Sequence, residues 1–329
     1  MNQKKQSKVI GIGNALVDEI TLLMDPSVLQ KFNLAKGSMT LVDRVESEVI
    51  HQETKNNSKK ITSGGSVSNV VGALASLGIE TGFIGSIGED ELGSFFIDSL
   101  SSIDVSLFLK ESAAMTGVAI SLVTPDGERT FATHLGAAAL LEAEDLKKDF
   151  FDGFDIFMIE GYLVQNHSLI IEAARMAHDL GLKVAIDLAS FNVVTENLEL
   201  LTSLVCDYVD IVFANEEEAR AFVGKEPREA LDCIASMVDM AVVKIGAEGA
   251  YVSQEGQCYH VPTLSNHVVD TTGAGDFFAA GFLYGLSQGY ELERCGYIGS
   301  LLASKVIAVT GAHLEDNMWG QLKEELSAL

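Results

Sequence analysis

One stretch of the 329-residue chain carries more chemistry than any other. It is Asp270-Thr271-Thr272-Gly273-Ala274-Gly275-Asp276, running into the apolar segment Phe277-Phe278-Ala279-Ala280-Gly281-Phe282. A Gly-Ala-Gly turn that feeds a helix leaves backbone N–H groups at the positive end of the helix dipole, a seat for a phosphate or a developing anion. Small residues let a ligand approach that backbone closely. Asp276 at the helix start has two readings. As a plain N-cap it satisfies the first turn and nothing more. Beside an anion seat it can also orient and deprotonate an attacking hydroxyl, while Gly273, Ala274 and Gly275 stabilise charge on a transferring γ-phosphoryl group. The second reading predicts a general base, kept ionised by the helix dipole.

Other polar residues carry weaker signals. Asn215-Glu216-Glu217-Glu218 reads on its own as a solvated helix start with a favourable dipole interaction. Lys244-Ile245-Gly246-Ala247-Glu248-Gly249-Ala250 follows a buried strand and could be an ordinary Gly-rich connection. Asp187 closes a strand and faces either a phosphate site or a loop. His51, His134, His167, His178, His260, His267 and His313 show no ligand spacing, and Arg129 reads as an exposed strand residue. Cys206, Cys233, Cys258 and Cys295 fit neither a zinc site nor a disulfide framework, and read as reduced, buried thiols.

The elements that must position these residues follow from periodicity. Strands are predicted at 9–13, 81–87, 156–159, 184–187, 208–214 and 241–245. Helices are predicted at 66–77, 92–101, 169–180, 216–223, near 230–237, at 277–288 and at 295–309. Such alternation implies an α/β fold with a doubly wound, mainly parallel sheet and helices on both faces. Two segments break the alternation, about 14–60 and about 107–135. In the second, Thr124-Pro125-Asp126-Gly127 marks a hairpin between 118–123 and 129–133. Both segments are expected to form one small antiparallel β lid over the C-terminal strand ends, within a single domain spanning 1–329.

Composition limits the partners. A hydrophobic content of 47% supports a sizeable core, and a net charge of −25 repels nucleic acids and anionic membrane surfaces. No window of 18 residues is uniformly apolar. The apolar run after the basic N-terminus is broken by Gly11, Gly13 and Asn14, so it reads as a first strand rather than a signal peptide. A cytoplasmic protein is expected. Phe277, Phe278, Phe282 and Trp319 read as structural.

The motif around Asp276 resembles the C-terminal signature of the ribokinase-like (PfkB) carbohydrate and nucleoside kinases, with its nearest likeness among bacterial adenosine-kinase-like sugar kinases. Gly64-Gly65-Ser66-Val67-Ser68-Asn69 and Gly85-Ser86-Ile87-Gly88-Glu89-Asp90 resemble the second signature, and Gly11-Ile12-Gly13-Asn14-Ala15-Leu16-Val17-Asp18 fits the opening strand. These motifs cover essentially the whole chain. The resemblance implies an ATP-dependent phosphotransferase with Asp276 as base and Gly273–Gly275 as anion hole. It implies that Asp18, Gly64, Gly65 and Asn69 hold the hydroxyls of the acceptor's sugar ring. Asn215 and Glu218 would position Mg²⁺ through waters. Asp187, Asn215, Lys244, Gly246, Gly249 and Ala303 would contact ATP, and Asp270 with Thr272 would close a monovalent-cation loop, for K⁺ if it activates.

The acceptor is the finer question. The long lid segment with Lys36-Gly37-Ser38-Met39-Thr40-Leu41 and the opening Asn14-x-x-x-Asp18 lean toward a purine nucleoside such as adenosine. Met39, Leu41, Tyr162 and Leu163 would enclose its base, while Asp18 and Asn69 take the ribose hydroxyls. The alternative acceptor is a free sugar (ribose, fructose or 2-keto-3-deoxygluconate). A nucleotide sensor without catalysis would have lost Asp276 or the anion turn. A dinucleotide-dependent dehydrogenase would need a third glycine after Gly11-x-Gly13. A monomer or homodimer acting on a small molecule is expected.

Overall fold

The computed structural model describes residues 6–126, 128–264 and 267–329. Its larger sheet has nine strands. In spatial order they are Gln257–Val261, Ala250–Gln254, Met240–Lys244, Ile211–Asn215, Lys183–Asp187, Ile156–Glu160, Val9–Ile12, Thr81–Gly88 and Val105–Ser112. From Met240–Lys244 to Val105–Ser112 all pairings are parallel, and a hairpin adds two antiparallel strands at one edge. The chain starts inside the sheet, winds outward to Val105–Ser112, and returns to the other side of Val9–Ile12 to wind the opposite way. The sheet is doubly wound, and its order reverses between Val9–Ile12 and Ile156–Glu160.

Alternation of side chains makes two apolar layers. Val9, Met158, Ala185, Phe213 and Val242 face the helices Ser66–Ser76, Ala274–Ser287 and Leu292–Val306. Ile10, Phe157, Ile159, Ile186 and Val212 face His167–Asp179, Leu198–Tyr208 and Pro227–Ala235. Phe277, Phe278 and Phe282 are buried as expected, and Trp319 stacks on Phe277. Of the cysteines only Cys295 is buried; Cys206 is exposed and Cys233 and Cys258 are half-buried, which corrects the uniform expectation. Among the described residues no helix is long and apolar enough to cross a membrane.

The second sheet has five strands, ordered Met39–Leu41, Arg129–His134, Gly117–Val123, Leu16–Leu22, Ser58–Gly64. It is mixed rather than antiparallel. Leu16–Leu22 pairs antiparallel with Ser58–Gly64 but parallel with Gly117–Val123, and Met39–Leu41 is parallel to Arg129–His134. The reason is topological. Leu16–Leu22 continues from Val9–Ile12 and Gly117–Val123 from Val105–Ser112, so both leave the same edge of a parallel sheet in one direction. The predicted hairpin joins Gly117–Val123 to Arg129–His134 antiparallel, although Gly127 of its turn lies outside the described residues. Residues 105–112 belong to the main sheet, which moves the start of the lid segment on from 107 to 117. The polar stretch within 14–60 also holds helix Arg44–Glu53, started by a capping box between Asp43 and Glu46. Its Ile50 packs with Leu29, Ile120 and Leu122 and so covers one face of the lid.

Candidate active site

Four adjacent parallel strands each end on a polar residue: Glu160, Asp187, Asn215 and Lys244. They border a cleft of about 540 Å³ at the carboxyl edge, beside the point where strand order reverses. Asn14, Asp18, Met39, Gly65 and Asn69 line it from the lid side and from helix Ser66–Ser76, and Tyr162 from the turn after Ile156–Glu160. Glu218, Gly246, Ala274, Gly275 and Asp276 line it from the other. A second cavity, of about 560 Å³, shares Lys244, Gly246, Ala274 and Gly275 and is closed by Gly249 and Ala303. The two meet at the anion turn.

Gly273 there has φ +76°, and a Cβ would lie 2.5 Å from the Ala312 methyl, so the turn requires glycine. It starts helix Ala274–Ser287 and leaves the Gly275 and Asp276 amides in the first turn. The Ala274 N–H is turned back onto Thr271 O at 3.2 Å. Asp276 is gripped on both oxygens: Ser66 Oγ donates to Oδ1 at 2.7 Å and Asn69 Nδ2 to Oδ2 at 2.8 Å. Burial pushes its carboxyl up to about 6, with Asn69 and Ser66 opposing. Asn69, expected on the acceptor, therefore has its amide on Asp276.

Asp18 sits in Leu16–Leu22 at the mouth of the lid. A Cβ on Gly64 would lie 2.1 Å from its Oδ1, so Gly64 is the space in which this carboxylate lies. Burial pushes Asp18 up to about 7, Asp276 adds to the rise, and Arg129 opposes it. Its oxygens accept no hydrogen bond from the described residues, which leaves them for hydroxyl donors. Glu160 was not anticipated from sequence. Its Oε1 accepts from Asn14 Nδ2 at 2.6 Å, its Oε2 receives the Asn14 and Val67 amides, and burial raises it to about 7. An acid closing the apolar strand Ile156–Glu160 was the available signal.

Where the two cavities adjoin, Lys244 Nζ pairs with Asp187 Oδ2 at 2.7 Å. Burial works to lower the Lys244 ammonium, but Asp187 and Glu218 outweigh it and hold the pKa high. Asn215 and Glu218 are turned on each other: Glu218 accepts from Asn215 N and Nδ2, and Asn215 Oδ1 accepts from the Glu217 and Glu218 amides at 2.9 and 2.8 Å. Burial, then Asp187, drives Glu218 above the usual carboxylate range. Among the described residues no three His, Cys, Asp or Glu side chains converge as a direct cage for a metal. The residues still fit Mg²⁺ held through water, because Asp187 raises both Glu218 and Asp276 and Lys244 is the one cation that opposes it at both.

Arg129 corrects the exposed-strand reading. It is buried, its Nη2 pairs with Asp270 Oδ2, and Nη1 reaches Ser121 Oγ at 3.3 Å. Asp270 also accepts from the amides of Gly311 and Thr272, the latter at 3.0 Å. A carboxylate buried at the root of the anion turn demands a counter-charge, and the lid supplies it. Asp270 and Thr272 line neither cavity.

Tyr162, in the short helix Gly161–Gln165, donates to Ala189 O at 3.4 Å, and burial raises its hydroxyl. Met39 and Leu41 share the cleft wall with Leu16, Phe131 and Leu135. Leu163 does not line it; it packs in the core.

Comparison with known proteins agrees with this geometry. The description "pfkB family carbohydrate kinase" matches residues 31–317. A 5-dehydro-2-deoxygluconokinase from Lacticaseibacillus casei is 30% identical over 300 residues, 85% of this chain and 90% of that protein. A probable sugar kinase from Rhizobium etli superposes with a TM-score of 0.91 at 31% identity, over 99% of this chain and 100% of that one. An adenosine kinase from Sinorhizobium meliloti gives 0.89 at 33% identity, over 98% and 99%. The buried carboxylate on a glycine turn, the doubly wound sheet and these likenesses lead to one assignment: the chain is a kinase and belongs to the pfkB family of carbohydrate kinases.

Proposed function

We propose that the protein moves the γ-phosphoryl group of ATP to a hydroxyl of a purine nucleoside such as adenosine. The observation that carries the transfer step is the Asp276 carboxylate, gripped by Ser66 and Asn69 where the two cavities meet. The acceptor hydroxyl gives its proton to Asp276 as its oxygen attacks phosphorus. The bond from the γ-phosphorus to the bridging oxygen breaks, and ADP leaves. The Gly275 amide and the helix start take the charge on the transferring group. Lys244, held charged by Asp187 and Glu218, faces the phosphates. Mg²⁺, when bound, would neutralise phosphate oxygens, and Asp187, Asn215 and Glu218 would hold its water shell.

The acceptor reading rests on the wall of the cleft. Asp18 offers two free oxygens to a pair of vicinal hydroxyls, and Asn14, fixed by Glu160, stands beside it. Leu16, Met39, Phe131 and Tyr162 form an apolar enclosure that suits a flat base. A sugar alone would leave hydroxyls unpaired against that wall, at roughly 1–3 kcal/mol each. The second reading, a free sugar or keto-sugar acid, is favoured by the Asn14, Asp18 and Glu160 end of the cleft and by the likeness to a 5-dehydro-2-deoxygluconokinase. A panel of nucleosides and sugars with Mg·ATP, read as ADP release, decides. The expected result is a higher kcat/KM for adenosine than for ribose, fructose, 2-keto-3-deoxygluconate or 5-dehydro-2-deoxygluconate. A clear preference for a sugar overturns the nucleoside and leaves the kinase.

A further inference from the structure

A third cavity, of about 480 Å³, lies outside the transfer cleft, between strand Ser58–Gly64, helices Ser66–Ser76 and Glu91–Ser101, and the segment 312–319. Its size is that of a small-molecule site. The Phe277 and Trp319 rings, stacked at 5.9 Å, border it, and Ser63 and Ser76 offer hydroxyls. At its rim stand Lys60 and His313. Lys59, one residue away, pairs with Glu19, whereas among the described residues neither Lys60 nor His313 forms an ion pair. Burial, and then Lys60, lowers the His313 pKa against Asp316 and Glu315, so the positive charge at the rim is that of Lys60. Lys60 is thus an unpaired cation at a cavity whose lining also includes Asp316, on a chain of net charge −25. The cavity also touches the machinery. Asn69 lines both this cavity and the cleft, and its amide holds Asp276, while Phe277 directly follows the base.

We propose that this cavity is a second ligand site, for a small aromatic anion, whose occupancy is transmitted to Asp276 through Asn69 and Phe277. The ring lies against Phe277 and Trp319, and the anionic group meets the Lys60 ammonium, with the His313 ring beside it. Seating a ring there shifts the Asn69 and Phe277 side chains, and with them the grip on the base.

Trp319 is the sole tryptophan, so its emission reads occupancy directly. The full chain is titrated with phenyl phosphate, and with benzyl alcohol as the uncharged control. The expected result is a saturable change with phenyl phosphate, about tenfold weaker in Lys60→Met, in the cavity-filling Ser76→Phe, and for benzyl alcohol. Turnover with Mg·ATP falls as phenyl phosphate fills the site in the parent, and does not fall in Ser76→Phe. Absence of a saturable change, or one that survives both substitutions, overturns the site. Inhibition persisting in Ser76→Phe comes from the transfer cleft and overturns the coupling.

Discussion

Arg129 and Asp270, 141 residues apart, form a buried ion pair that joins the lid sheet to the root of the anion turn. Replacing Arg129 by Met leaves the Asp270 carboxylate buried without a counter-charge, which costs about 3–5 kcal/mol. Urea or thermal unfolding should show that loss, with kcat lowered as well because the turn loses its anchor. A guanidinium already meets Asp270, so replacing K⁺ by choline should leave the parent's turnover unchanged. A Met variant as stable as the parent would remove this pair from the account.

Asp276→Asn keeps the size of the side chain but cannot take a proton. Turnover should fall by about 10²–10⁴-fold while ATP still binds. The pH profile is the companion measurement. The base acts ionised and burial holds it at about 6, so kcat should decline as pH drops through about 6 rather than through 4. A flat rate down to pH 5 contradicts the assignment.

Asp18 gives a prediction of opposite sign for stability. Its folded pKa is raised from 3.8 to about 7, so its stability contribution is present below about 4 and is lost as pH rises through 7. Asp18→Asn removes the penalty. The variant should melt about 2–4 °C or more above the parent at pH 8, with the gap narrowing at pH 5, and should lose acceptor binding. A variant that melts lower at pH 8 would show that the carboxylate is compensated.

Glu218→Gln keeps the hydrogen bond to one Asn215 donor and removes the charge. The Mg²⁺ concentration for half-maximal rate should rise. An unchanged titration would return Glu218 to the role of helix cap for Glu216–Val223.

Truncating Tyr162 to Ala should raise KM for a nucleoside more than for any sugar that reacts, because only the base loses its aromatic wall. Equal effects on both would argue that Tyr162 is packing alone.

Much of this site was legible because its residues are local in sequence. The Asp270–Asp276 turn can be read from its own residues, while the Gly64–Asn69 motif, Asp187 and Lys244 are read from the resemblance to the family. Glu160 was not, because what ties it to the cleft is Asn14, 146 residues away. Arg129 was misread for the same reason: period-2 patterning says which face of a strand it occupies, not that Asp270 lies below. The lid's mixed pairing was hidden since strand direction depends on where Leu16–Leu22 and Gly117–Val123 leave the main sheet. Helix Arg44–Glu53 carried its own signal in Asp43 and Glu46, and its amphipathic turns were lost among polar neighbours.

The position of Val9–Ile12 inside the main sheet, third from one edge, bears on how the chain reaches this fold. Its two neighbours are Thr81–Gly88 and Ile156–Glu160. During synthesis this strand is made before both of its neighbours, and it stays unpaired on one side until residue 160 has left the ribosome. The lid segments lie between. Pairings at such separations close slowly, because large loops must be ordered before any contact rewards them. An apolar strand waiting in that state is exposed to association with other nascent chains, so its folding yield should depend on translation rate and chaperone supply more than its final stability does.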